Sequence, residues 1–124
     1  MNDRLFFYGT LLPDLARPPV SAVIARLTPL GPATVSGLLY DLGPYPGLVA
    51  GDGIVCGELF AGADVAVLTI LDAYEGYDPH DVAGSLFRRE RATTLDAWVY
   101  MYNRDMRGAE WIPSGGLPGV AQLP

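Results

Sequence analysis

One stretch of this chain carries a full set of helix signals, and it is nearly alone in doing so. Asp64 is placed to cap it, residues 65–75 supply it, and Gly76 stops it. Val65, Leu68, Leu71, Ala73 and Tyr74 give it an apolar stripe at helical spacing. Elsewhere the pattern is of short strand-like runs punctuated by 15 Gly and 11 Pro. The alternating strand–helix rhythm of a parallel α/β fold is missing. The prediction is therefore an α+β chain: a small, mostly antiparallel β-barrel or curled sheet with one or two flanking helices.

Leu5, Phe6, Phe7 and Tyr8 read as a buried strand that stops at Gly9. Pro13, Pro18 and Pro19 keep the next stretch of chain from forming regular structure. Residues 20–27 are predicted as a short helix, with Pro19 near its first turn and Val20, Val23, Ile24 and Leu27 on one face. Residues 33–42 read as a second strand, with Gly37 marking a bulge or a close backbone approach. Gly43-Pro44-Tyr45-Pro46-Gly47 is a turn-rich loop. Residues 48–50 and 54–60 are predicted as a hairpin around Gly51-Asp52-Gly53. Residues 86–94 and 95–103 read as two more strands. In the latter, Trp98, Tyr100 and Tyr102 share one face and Ala97, Val99 and Met101 the other. From Gly108 onwards no periodicity remains, so the expected division is a domain over 1–109 and an irregular Gly/Pro-rich tail over 110–124.

The 124 residues fit one domain, and the 50% that are apolar suffice for a real core. A net charge of −6 argues against nucleic acid or an anionic membrane as partner, since both need a cationic footprint. It does not exclude a small anionic substrate, which a nest of backbone N–H groups can hold. The single cysteine, Cys56, can form no intramolecular disulfide, which fits a reducing compartment. Asp3, the early strand pattern and the lack of a small-residue cleavage site speak against a signal peptide. No apolar run approaches the ~20 residues of a membrane helix. The expectation is a soluble, cytoplasmic domain whose partner is a small molecule.

Two segments carry the chemistry. Glu75 falls at a helix C-terminus, where the helix carbonyls disfavour a carboxylate by about 0.3–1 kcal/mol. Asp72, one turn earlier, adds like-charge repulsion, and burial among Tyr74, Tyr77 and strand aromatics would add more. All three favour the protonated acid, as suits general acid–base work; an exposed acid at a frayed helix end is the plain alternative. Gly9 ends a strand where backbone can approach a ligand closely, and Thr10 and Leu11 could add N–H donors. A strand simply entering a turn explains the same glycine. Cys56 reads as a buried structural residue and His80, beside Asp78 and Asp81, as a surface one. No spacing suggests a metal, a phosphate loop or a dinucleotide site, and no cofactor is expected. Arg88 or Arg89 could meet a substrate carboxylate, though strand charges more often face solvent. Glu58 is a minor second acid.

Taken in order, these segments resemble the γ-glutamylcyclotransferase-like family, including its AIG2-like and γ-glutamylamine cyclotransferase branches. The pieces are Phe7-Tyr8-Gly9-Thr10-Leu11, Gly37-Leu38-Leu39-Tyr40-Asp41 with Tyr45-Pro46-Gly47, and Val55-Cys56-Gly57-Glu58-Leu59-Phe60. Leu71-Asp72-Ala73-Tyr74-Glu75-Gly76, Phe87-Arg88-Arg89 and Ala97-Trp98-Val99-Tyr100 complete them. The resemblance implies a small β-barrel with one cavity. It implies that Tyr8, Gly9, Thr10 and Leu11 bind a γ-glutamyl group through backbone amides. It further implies Glu75 as the catalytic acid/base and Tyr100 as a cavity wall. Phe87 stands where the family usually has tyrosine. Ile112-Pro113-Ser114-Gly115-Gly116-Leu117 resembles the family's closing Ile-Pro-Ser-Gly-Asp-Trp, with Gly116 and Leu117 as departures.

The activity so implied is cyclisation of a γ-glutamyl amide, releasing 5-oxoproline and a free amine or amino acid without metal or cofactor. One alternative keeps the fold but removes a γ-glutamyl group from a biosynthetic intermediate. Another is a non-catalytic module that binds a small metabolite or a protein.

Overall fold

A strand that carries large apolar side chains on both faces must lie inside a sheet, and the first strand does. The structure, a computed structural model, describes residues 3–8, 20–43, 45–105 and 108–112. Its elements are β1 (Asp3–Phe7), α1 (Val20–Ile24), β2 (Thr28–Asp41), β3 (Pro46–Ala63) and α2 (Val65–Glu75), then β4 (Phe87–Ala92), β5 (Ala97–Tyr102) and β6 (Glu110–Trp111). The strands form one mixed sheet in the order β4-β5-β1-β3-β2-β6. β1 runs antiparallel to β3, pairing Leu5 with Phe60, and parallel to β5, pairing Leu5 with Trp98.

Strand alternation divides the core between the two faces of the sheet. Leu5 and Phe7 join Phe60, Phe87 and Tyr100 under α1 and α2. Phe6 and Tyr8 point the other way, onto Val35, Leu39, Leu48, Val55, Val99 and Met101 inside the curl of the sheet. The expected facial split of β5 is present: Ala97, Val99 and Met101 fill the curl, while Tyr100 packs under the helices with Trp98 and Tyr102 beside it. The result is an α+β half-barrel with two helices on its outer face.

The expected hairpin around Gly51-Asp52-Gly53 is not there. β3 runs through these residues as one strand, and it pairs with β2 on both sides of them. The chain reverses earlier, where the Leu42 N–H donates to the Tyr45 carbonyl at 3.1 Å and the Gly43 N–H to Asp41 Oδ1 at 2.8 Å. The glycines serve close approach instead. A Cβ on Gly51 would lie 2.5 Å from the Leu38 side chain, and one on Gly53 would lie 2.6 Å from the Gly37 carbonyl oxygen. Between Ser36 and Leu38 the register shifts, which makes the segment a large bulge that bends the ribbon. α1 ends at Ile24 rather than at Leu27, and β2 starts earlier than expected, at Thr28. From Gly108 the chain is not wholly irregular: Glu110 and Trp111 pair with Asp41 and Tyr40 of β2.

α2 is capped as its sequence requires. Asp64 Oδ1 accepts from the Val67 N–H at 2.9 Å, and Gly76 takes the left-handed conformation at φ 68°. The Gly76 N–H reaches the Ala73 carbonyl and the Tyr77 N–H the Asp72 carbonyl, closing the last turn. Its buried stripe differs from the expected one. Val67, Leu68, Leu71 and Asp72 face inward, whereas Val65, Ala73 and Tyr74 are exposed. Glu75 lies one turn beyond Leu71 on that inward stripe.

Candidate active site

Five elements converge on one cavity of about 240 Å³. β1 and the residue after it supply Phe6, Phe7 and Tyr8, the end of α2 supplies Tyr74 and Glu75, and β5 supplies Tyr100. Tyr45 and Pro46 come from the start of β3, and Leu86 and Phe87 from the start of β4. Leu86 is fixed there because its N–H donates to the Gly76 carbonyl at 3.0 Å, which ties β4 to the end of the helix. Of the expected site residues, Tyr8, Glu75 and Tyr100 meet in this cavity. Gly9, Thr10 and Leu11 lie outside the described residues.

Glu75 is the one charged side chain among the described residues of the lining. Its carboxyl is surrounded by protein although the residue as a whole keeps some exposure, and burial pushes its pKa up to about 8. No described residue donates a hydrogen bond to it. The charge of Glu75 is felt by Tyr8, Tyr45 and Tyr100, whose phenols are each raised first by burial.

Two of these phenols are already engaged within the fold. The Tyr8 hydroxyl donates to the Tyr100 carbonyl at 2.5 Å and accepts from the Leu48 N–H at 3.1 Å. The Tyr100 hydroxyl donates to Asp72 Oδ1 at 2.7 Å. Both hydroxyls are therefore held by the protein itself. Tyr45 has no such partner among the described residues, and its ring packs 5.7 Å from that of Phe87.

Asp72 has a different part from the one its spacing suggests. It is not a bare charge repelling Glu75. Arg89 holds it from two nitrogens, Nε at 2.9 Å and a terminal nitrogen at 3.2 Å, while the Tyr100 hydroxyl adds a third donor. The Arg89 guanidinium also lies 4.4 Å from the centre of the Trp98 ring. This buried cluster joins α2, β4 and β5 directly behind the cavity. Arg88 is engaged as well, with Glu90 and with Asn103 Oδ1. Neither arginine is among the cavity lining.

Sequence reasoning missed the pairing of Asp72 with Arg89, and left Tyr45 outside the site. A carboxylate on an inward helical stripe needs a cation, and Arg89 shares a strand face with Phe87 by alternation. Which face of α2 turns inward is set by the sheet beneath it, so the pattern becomes a pairing only in the folded chain. Cys56 is part-exposed rather than buried, and His80 is exposed, its backbone N–H donating to Asp78 Oδ1. Among the described residues no group of His, Cys, Asp and Glu could hold a metal ion, and no helix is long and apolar enough to cross a membrane.

Comparison with known proteins identifies the family and the fold. The family model described as "Gamma-glutamyl cyclotransferase, AIG2-like" matches residues 5–117, a span that includes every cavity residue. The γ-glutamylcyclotransferase family protein YtfP of Escherichia coli K12 is 34% identical over 115 residues, covering 90% of this chain and 93% of its own. Its counterpart in Citrobacter rodentium is also 34% identical, over 90% of this chain and 92% of its own. The solution structure of E. coli YtfP superposes with a TM-score of 0.68 at 32% identity, covering 94% of this chain and 96% of that one. A crystal structure from Pyrococcus horikoshii shares the fold, with a TM-score of 0.65 at 19% identity over 91% and 87% of the two chains. A family model that matches residues 5–117, and relatives 34% identical over 90% of the chain, make this protein a member of the γ-glutamyl cyclotransferase, AIG2-like family.

Proposed function

We propose that the protein cyclises a γ-glutamyl amide to 5-oxoproline and releases the amine or amino acid, with Glu75 as general acid and base. The observation that carries this reading is a single buried carboxyl, raised to about 8, facing a small aromatic cavity. A catalytic acid–base group works best with a pKa near the working pH, and a free α-amino group titrates near the same value. The two can therefore exchange a proton at little cost.

In the reaction, the substrate's α-ammonium pairs with ionised Glu75, an opposite charge that favours the carboxylate. The α-ammonium releases one proton to solvent water, which frees the amine and leaves Glu75 ionised. The nitrogen attacks the γ-carbonyl carbon, forming the ring C–N bond and an oxyanion. Glu75 takes the second proton from the attacking nitrogen and passes it to the departing one as the amide C–N bond breaks. Ring closure is intramolecular, so a cavity that folds the substrate correctly supplies much of the rate; effective molarities reach about 10⁵ M or more. The backbone N–H groups of Gly9, Thr10 and Leu11 are assigned to the oxyanion or to the substrate's α-carboxylate.

The test is to incubate the protein with γ-glutamyl amines, γ-glutamyl dipeptides and glutathione, and to assay 5-oxoproline. Release of 5-oxoproline from at least one of them is expected. Release of free glutamate instead would mean hydrolysis and remove the cyclisation step. A binding module of the same fold would bind these compounds without turnover.

A further inference from the structure

The inner face of the curled sheet carries a groove of its own, of about 300 Å³. Val35 and Ser36 of β2 stand on one side of it and Ala92 of β4 on the other, with Leu48, Val99 and Met101 between them. It shares no lining residue with the cavity beside Glu75. Val35, Leu48, Val99 and Met101 belong to the core cluster inside the curl, so the groove is an opening onto the core. Its charged lining residues, Glu90 and Arg91, are already paired, with Arg88 and Asp96.

Strand edges flank the groove. β4 ends the sheet on one side. On the other, β6 covers only the end of β2: Trp111 and Glu110 pair with Tyr40 and Asp41, and the Ile112 N–H donates to the Leu39 carbonyl at 2.8 Å. Among the described residues, the outer edge of β2 from Thr28 to Leu38 has no strand beside it. Because β6 is antiparallel to β2, the chain leaving Ile112 heads from Leu39 toward Ser36 and Val35, the β2 side of the groove. Ile112 itself packs against the cluster beneath the groove. Leu39 to Val35 is about 13 Å of strand, and residues 113–117 span about 16 Å when extended. The family match also continues past Ile112, to Leu117.

We propose that residues 113–120 continue the line of β6 along the outer edge of β2 and cover this groove, with Leu117 and Val120 filling it. The composition of the segment fits the place. Residues 112–124 contain no charged side chain, although 18% of the chain is charged, and they include Leu117, Val120 and Leu123. A segment that stays in water is ordinarily charged and poor in aliphatic residues. Pro113 and Pro118 lack an N–H, which an edge strand tolerates and which blunts the new edge against further pairing. A dry cavity of about 150 Å³ holds one benzene ring, so one of about 300 Å³ takes two aliphatic side chains. Apolar area on both partners leaves water as they meet.

Methyl-labelled full-length protein tests this by NMR. Nuclear Overhauser contacts are expected from the methyls of Leu117 or Val120 to Val35, Val99 or Met101. No contact from either residue to the groove overturns the proposal. Contacts found only between differently labelled chains in a mixed sample assign the groove to a second copy and overturn it as well. A second arm is hydrogen exchange on the full chain carrying Leu117→Asp and Val120→Asp together. Exchange of the β2 amides over residues 33–38, taken relative to those of β1, should rise about tenfold over wild type. An unchanged ratio means that the segment does not protect this edge. Neither readout requires turnover, so failure here leaves the cyclotransferase reading untouched.

Discussion

Glu75 combines a helix C-terminus with a buried setting, and both work against its ionised form. Replacing it with Gln keeps size and shape but removes the exchangeable proton. Glu75→Gln should lower 5-oxoproline formation by about 100-fold or more. Turnover within tenfold of wild type would take Glu75 out of the mechanism. The stability of the pair adds a second check. Because the folded pKa lies above the unfolded one, the folded state holds its proton more firmly. Wild-type stability is then full below about pH 4.5 and falls as pH rises to about 8. Urea unfolding should show the two proteins equal near pH 4 and the Gln variant more stable by about 5 kcal/mol at pH 9. The catalytic profile runs the opposite way. Since the base form is needed, kcat/KM should rise with pH and level off above about 8. A profile already flat by pH 6 would contradict a raised Glu75.

Among the elements, the decisive contact is of α2 with β4 and β5, where Arg89 and Tyr100 satisfy Asp72. With its partners in place Asp72 sits one turn from Glu75 without leaving a bare charge there. Arg89→Met should destabilise the fold by about 3 kcal/mol, because it leaves a buried carboxylate without its cation. Adding Asp72→Asn should recover much of that loss. If the double variant unfolds at the same denaturant concentration as Arg89→Met alone, the pair is not coupled in this way. Gly76 matters to the same junction. It adopts φ 68°, and a Cβ there would approach the Leu86 Cβ to 3.2 Å. Gly76→Ala should therefore lower stability by about 1 kcal/mol and slow turnover by displacing the helix end, as unfolding and 5-oxoproline assays would show.

The molecule as a whole depends on how closely β1 approaches β3. A Cβ on Gly57 would lie 2.2 Å from the Phe7 carbonyl oxygen and 2.7 Å from the Phe6 ring. Because β1 is central and feeds both core faces, strain there is felt on both sides of the sheet. Gly57→Ala should cost about 3 kcal/mol or more, read from the thermal midpoint, with loss of the cavity as a consequence. A midpoint within a few degrees of wild type would mean that the strands can separate freely at this point.

Local chemistry was legible wherever it was decided by neighbours in the chain. Asp64 and Gly76 fixed both ends of α2, the aromatic β1 announced a buried strand, and the alternation of β5 assigned its faces. Glu75 stood out because its position relative to the helix end is itself a sequence property. Gly51 and Gly53 misled, since a glycine pair suits a turn and a close approach equally well. Only the partner strand, with Leu38 and the Gly37 carbonyl above them, chose the bulge. The inward stripe of α2 was likewise set by the sheet beneath it, which buries Asp72 and leaves Val65 outside. The pairing of Asp72 with Arg89, and the meeting of Tyr8, Tyr45, Glu75, Phe87 and Tyr100 around one cavity, join residues from every part of the chain. The sequence alone determined the kinds of element and singled out Glu75 at the end of α2. Tertiary structure decided which charges are neutralised and which remain free to react, because burial and pairing depend on strand order and register, which no local pattern records.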